Sequence, residues 1–132
     1  MPRIRWSLNR GRPIVEVVLS LVQGGQKVQR TLLADTGAGA AHDPFDLVLD
    51  EVDCLMCGGT PSMIVNLGGS YAGSYPIYGI PIEIPQLNFN DYLLVAGVAN
   101  APVGFDGIAC FRFLNRFTYG NFGNTSEFAL EN

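Results

Sequence analysis

Leu32-Leu33-Ala34-Asp35-Thr36-Gly37-Ala38-Gly39 is the stretch on which the fold turns. It is entered through Lys27-Val28-Gln29-Arg30-Thr31, and a second run rich in β-branched residues, Pro13-Ile14-Val15-Glu16-Val17-Val18-Leu19-Ser20-Leu21-Val22, lies just before that. Both have strand composition, and Gln23-Gly24-Gly25-Gln26 between them has turn chemistry, so the pair reads as a hairpin. The second strand runs directly into Asp35-Thr36-Gly37-Ala38-Gly39, where small residues and two glycines imply a sharp turn and a close backbone approach. An apolar strand therefore delivers one acid, Asp35, to the mouth of a tight loop.

Working outward, further strands are expected at residues 62–67, 74–84 and 92–98, separated by Gly68-Gly69, Pro85 and Asn100-Ala101-Pro102. Pro76, Pro81 and Pro85 confine the middle strand to an edge or bend it. Ile108, Phe111, Leu114 and Phe117 fall at helical spacing, which predicts one short helix over residues 107–117. The tail, residues 117–130, reads as a hairpin folding about Gly123-Asn124. No internal repeat is visible, so one chain carries one copy of the Asp35 loop.

With 132 residues the chain suits a single domain over 1–132. A hydrophobic content of 48% with only 15% charged residues is that of a packed domain, not a disordered tail. The net charge is -4 and Lys27 is the single lysine, which leaves no cationic stripe for a phosphate backbone, so nucleic acid is not an expected partner. No apolar run approaches the roughly 18 residues of a membrane helix, and Met1-Pro2-Arg3-Ile4-Arg5-Trp6 does not open a signal peptide. A soluble, cytoplasmic protein with no membrane partner is expected. Cys54, Cys57 and Cys110 are an odd set without a disulfide framework, which favours free thiols.

Asp-Thr-Gly alone is weak, and its context has to carry the reading. An apolar strand delivers Asp35, a glycine-bearing hairpin follows at Gly68-Gly69, and Phe105-Asp106-Gly107-Ile108-Ala109-Cys110-Phe111-Arg112-Phe113-Leu114 comes late. In that order the chain resembles the retropepsin-type aspartic peptidases. The resemblance runs from Arg12-Pro13-Ile14-Val15 through the Asp35 loop to Leu114, and it implies an all-β fold: a closed, barrel-like antiparallel acid-protease domain with one short C-terminal helix, working as a homodimer.

The resemblance also implies roles. Asp35 is the catalytic carboxylate of an aspartic endopeptidase; the Thr36 hydroxyl bonds across to the partner's loop; Gly37 lets substrate backbone pass, and Ala38 completes the loop. Leu67, Gly68, Gly69, Ser70 and Tyr71 correspond to a flap over the substrate, and Ile108 and Ala109 to a substrate pocket. The partners implied are a peptide or protein substrate, extended and partly apolar, and a second copy of the chain; no cofactor or metal is expected. Amide hydrolysis of this kind needs one carboxylate to deprotonate water while another acid polarises the carbonyl, and two carboxyls about 3 Å apart share a proton. One Asp per chain thus calls for two chains.

Two positions depart from the family. Cys110 stands where glycine is usual before the helix, and Gly39 stands where retroviral members carry an acidic residue that helps hold substrate and dimer. These favour an alternative, a catalytically inactive dimerisation or peptide-binding module on the same fold. A third reading takes Cys54-Leu55-Met56-Cys57 with Cys110 and His42 as a metal or redox site, although a lone CxxC is weakly specific. The acidic residues Asp43, Asp46, Asp50, Glu51 and Asp53 are expected on a solvated face, with attraction of basic substrate residues as the sharper reading. Phe117, Tyr119, Phe122, Phe128 and Leu130 fill either the core or a dimer interface.

Overall fold

The computed structural model describes residues 1–40, 43–67 and 72–132. Strands β1 (Arg3–Ser7), β2 (Ile14–Ser20), β3 (Lys27–Ala34) and β4 (Leu47–Asp50) lead into helix α1 (Glu51–Met56). Strands β5 (Pro61–Leu67), β6 (Gly73–Ile84), β7 (Phe89–Val98) and β8 (Gly107–Ala109) precede helix α2 (Phe111–Leu114), and β9 (Thr118–Gly120) and β10 (Glu127–Glu131) close the chain. The main sheet has the order β2-β3-β8-β4-β7-β6-β5, and β6 also pairs with β2 through Val18↔Glu83 and Leu19↔Ile82. That extra pairing closes β2, β3, β8, β4, β7 and β6 into a six-strand barrel. Most pairings are antiparallel, while β3–β8 and β4–β7 are parallel. A second, three-stranded sheet, β1-β10-β9, joins the two ends of the chain.

The β2–β3 hairpin follows from its alternation. Val15, Val17 and Leu19 are wholly buried while Glu16, Val18 and Ser20 are half-buried, so one face of β2 fills the barrel. In β4 and β8 both faces are covered. Leu47, Leu49 and Ala109 join the main core with Trp6, Leu32, Phe113 and Leu130, whereas Val48 and Ile108 join a smaller cluster with Phe45, Ile77, Ala96, Val98 and Cys110. The smaller cluster lies behind the cleft described below. No helix among the described residues is long and apolar enough to cross a membrane.

Several expectations need correction. Residues 107–117 are not one helix: Gly107–Ala109 is a strand between β3 and β4, and the helix begins only at Phe111. A side chain at Gly107 would collide with the Val48 carbonyl oxygen, so a glycine there lets the two backbones come together as neighbouring strands. There are two short α-helices among the described residues rather than one, with α1 capped by Asp50, which accepts the Val52 N–H through Oδ1 at 2.9 Å. Strand β6 has neighbours on both sides; Pro81 falls where its partner changes from β5, which reaches Tyr78, to β2, which begins at Ile82.

The acidic stretch is not wholly solvated. Asp46 and Asp53 are buried, and Arg30 grips both Asp53 oxygens at 2.9 and 3.0 Å. In the tail, Phe117 and Leu130 enter the main core, with Tyr119 and Phe128 packed against it. Phe117, Phe113 and Phe89 meet edge to face at 5.2–5.8 Å, fixing α2 against the start of β7.

Candidate active site

Asp35 is the first residue past β3, and two backbone bonds set where it stands. The Ala34 N–H donates to the Pro13 carbonyl and the Asp35 N–H to the Ala109 carbonyl, each at 3.0 Å. The loop then turns back on itself: Ala38 N–H donates to Asp35 O at 3.1 Å, and Gly37 N–H donates to Asp35 Oδ1 at 2.9 Å. Phe111 N–H donates to Ala38 O at 3.0 Å, which ties the loop to the first turn of α2. Asp35 is half-buried, while Thr36 and Gly37 are exposed. Among the described residues, Gly37 N–H is the one donor to the Asp35 carboxylate.

The carboxylate opens into a cleft of about 460 Å³. Gly37, Ala38 and Gly39 border it on the loop side, Leu67 of β5 and Tyr75 of β6 on another, and Phe45, Val48, Val98 and Ile108 provide apolar wall. Of the residues assigned from the sequence, Asp35, Gly37, Ala38, Leu67 and Ile108 therefore meet around one cavity. Ala109 does not line it: in β8 its side chain points the opposite way from Ile108, into the main core, and its contribution is the carbonyl that positions Asp35. Gly68, Gly69, Ser70 and Tyr71 lie outside the described residues.

Other lining residues were not assigned to the site from the sequence, among them Asp43, Phe45, Val48, Tyr75, Ala96, Val98 and Cys110, although Asp43 belongs to the acidic stretch given a substrate-attracting reading. Tyr75 and Val98 fall within expected strands, where alternation alone does not say which face meets a cavity. Asp43 and Phe45 sit in an irregular segment with no periodicity to read. Cys110 was read as a departure from the family and as a candidate metal or redox residue, and it forms the cleft floor. Burial pushes its thiol up to about 12, with the neighbouring charges of Asp35, Asp46 and Asp43 acting in the same direction.

The other two thiols are elsewhere. Cys54 and Cys57 are buried by α1 in the main core, apart from the cluster holding Cys110. Burial pushes Cys54 up to about 12 and raises Cys57 as well, which keeps both protonated at neutral pH. No group of three or more metal-ligating side chains occurs among the described residues; His42 lies outside them.

Beneath the cleft floor is a carboxylate of a different kind. Asp46 is 1% exposed. Its Oδ1 accepts from Arg116 Nη2 and Nε at 3.1 and 3.3 Å and faces Arg112 Nε at 3.6 Å, while Oδ2 accepts the Leu94 N–H at 3.3 Å. Its carbonyl accepts the Cys110 N–H at 3.1 Å. The segment carrying Ala109 and Cys110 is thus held between Asp35 on one side and Asp46 on the other.

No family model matches the chain, and no curated protein matches it in sequence. Among solved structures it is similar to a retropepsin-like aspartic protease from Rickettsia conorii, with 15% identity and a TM-score of 0.60 over 97% of this chain and 89% of that one. At that identity the likeness shows the fold alone: the closed barrel is that of the retropepsin-like proteins.

Proposed function

We propose that the chain is one half of an aspartic endopeptidase, in which two copies bring their Asp35 side chains together and hydrolyse an extended peptide between them. The observation that carries this reading is the state of Asp35. It is a half-buried carboxylate, oriented by its own loop and opening into a cleft, on a fold shared with a known aspartic protease. A pair of such carboxyls within about 3 Å holds one proton, so the ionised member deprotonates a water and the protonated member polarises the scissile carbonyl. Thr36 and Gly37, exposed beside it, are the surface a second copy would meet. Leu67 and Tyr75 stand towards the turn end of the β5–β6 hairpin, the element that would close over the peptide as a flap. Such clefts take substrate as an added strand, with side chains entering pockets alternately.

The test is hydrolysis of a peptide library by the wild-type chain and by Asp35→Asn across pH, with sedimentation alongside. Wild type should cleave at mildly acidic pH and lose activity as the dyad gives up its shared proton. Asp35→Asn should lose at least about a thousandfold in rate, as expected for removal of an acid–base pair. Equal turnover by the mutant would refute the assignment.

A second reading, peptide binding without cleavage, is favoured by the Cys110 side chain in the cleft floor. Pepstatin-type compounds imitate the tetrahedral intermediate and separate the two: inhibited hydrolysis supports the enzyme, and binding with no turnover supports the module.

A further inference from the structure

Three consecutive residues leading from the cleft floor into α2 each take hold of a different point on the stretch between Asp35 and β4. Cys110 N–H donates to the Asp46 carbonyl at 3.1 Å, Phe111 N–H to the Ala38 carbonyl at 3.0 Å, and Arg112 Nη1 to the Asp43 carbonyl at 2.8 Å. The first two are backbone bonds, which any residue but proline would make at those positions. The third is made by a side chain, so it is the one hold of the three that a substitution can remove. Arg112 is about one-third exposed, and its Nε faces Asp46 Oδ1 at 3.6 Å, so a single guanidinium reaches both ends of residues 43–46. A planar forked group can address a carbonyl and a carboxylate together, whereas the point charge of a lysine cannot.

What is held in this way is part of the cleft. Asp43 and Phe45 line it, and Arg112 itself does not. Phe45 is 3% exposed and packs in the smaller cluster with Val48, Ile108 and Cys110. A methyl group built on Gly39, where φ is +73°, would stand 3.5 Å from the Phe45 ring, so this wall residue lies directly against the loop that carries Asp35. The turn before it is closed by its own bonds: Asp43 N–H donates to Ala40 O at 3.0 Å, and Ala40 N–H donates to Asp43 Oδ2 at 2.7 Å. A turn closed on itself moves as a unit, and the bond from Arg112 ties that unit to α2.

We propose that Arg112 is a positioning residue for peptide binding, which sets Asp43 and Phe45 against the Asp35 loop and thereby fixes the size of side chain that this corner of the cleft accepts. This rests on the peptidase reading of the cleft and assigns part of its selectivity. A wall that holds the peptide without touching the reacting carbonyl favours ground state and transition state alike. Loosening it therefore raises KM and spares kcat.

The experiment uses three decapeptide pools with random flanks and a central alanine, leucine or phenylalanine, cleaved by the wild-type chain, by Arg112→Met and by Arg112→Lys. Methionine keeps the apolar stem and removes both polar contacts. Lysine retains the charge facing Asp46 and loses the forked reach, so it carries the test if Arg112→Met does not fold. In Arg112→Met, KM on the best pool should rise about tenfold with kcat within about twofold. The ratio between best and poorest pools, about tenfold or more in the wild type, should fall to within about threefold. Arg112→Lys should raise KM by about threefold with a smaller loss of selectivity. A purely structural role would reduce the folded fraction, and with it kcat, but would leave KM and selectivity where they were. Equal handling of the three pools by the wild type, wild-type KM and selectivity in Arg112→Lys, or a loss confined to kcat would overturn the proposal. The peptidase reading fails separately. If the wild type cleaves nothing, the same comparison is made on dissociation constants: tenfold weaker binding by Arg112→Met keeps the positioning role without the enzyme, and unchanged binding or binding of no pool ends it. Asp35-dependent cleavage indifferent to Arg112 has the reverse meaning.

Discussion

Asp35 and Asp46 flank the same short segment, yet their surroundings differ in every respect that matters to a carboxylate. Asp46 is sealed from solvent, its two oxygens answered by Arg116, by the neighbouring Arg112 and by the Leu94 N–H. Asp35 is half-buried at a cleft and receives one backbone N–H from its own loop. A carboxylate surrounded by cations has spent its bonding capacity on structure, whereas one left facing a cavity keeps its second oxygen for something that is not part of the chain. Residues 109 and 110 link the two: the Ala109 carbonyl holds Asp35, and the Cys110 N–H is held by Asp46. The buried acid thereby steadies the floor on which the exposed one stands.

The sharpest way to break this comparison is to neutralise each acid in turn. Asp46→Asn takes the buried counter-ion from Arg112 and leaves Arg116 with only the exposed Asp91, and unfolding free energy in urea should drop by about 3 kcal/mol, the low end for a broken buried pair because both arginines are about one-third exposed. Asp35→Asn should change the same quantity by less than about 0.5 kcal/mol, as its loop bond survives with an amide oxygen. A larger loss for Asp35→Asn than for Asp46→Asn would mean that the roles are exchanged.

A smaller effect separates charge from geometry at the buried site. Arg116 reaches Asp46 Oδ1 with two nitrogens, and its third faces Asp91 Oδ2 at 3.6 Å, where Asp91 is largely exposed. Arg116→Lys retains the charge but loses the two-pronged contact, so a cost of about 1 kcal/mol is expected from urea unfolding. A neutral outcome would show that charge alone suffices at Asp46.

The contrast between the two acids was only half legible in the sequence. The Asp35 side was readable because β2 and β3 are rich in β-branched and apolar residues with partial alternation, and the loop after them is built from small residues, both local signals. The Asp46 side was not, because burial of that carboxylate depends on arginines up to 70 residues away, and no local pattern distinguishes it from Asp43 or Asp50. Strand β8 was hidden for a related reason. Ile108 and Leu114 share helical spacing by coincidence, one facing the cleft cluster and the other the main core from a different element. Strand β1 was in principle visible, since Arg3-Ile4-Arg5-Trp6-Ser7 alternates, but its apolar positions acquire meaning only from β10, at the far end of the chain.

Cys110 offers the finest probe, because it lies between the two acids and senses both. Burial, and after it the charges of Asp35 and Asp46, push its thiol up from an ordinary 9.0 to about 12. A raised folded-state value means that the native chain holds its proton longer than the unfolded one. The associated stability is complete below pH 9 and is lost as pH climbs towards 12, and Cys54 adds to the same trend. Alkaline titration of urea unfolding should show this decline, and a Cys54→Ala, Cys110→Ala chain should show less of it. At neutral pH both thiols should resist alkylation in the native chain and react once it is unfolded, with site assignment by mass spectrometry. Removing one negative neighbour eases ionisation, so Asp35→Asn should lower the Cys110 titration point by a fraction of a unit and speed its alkylation, leaving Cys54 unchanged. If Asp35→Asn leaves Cys110 as inert as before, the charge of Asp35 does not reach the cleft floor, and the link between the two acids through residue 110 is structural alone.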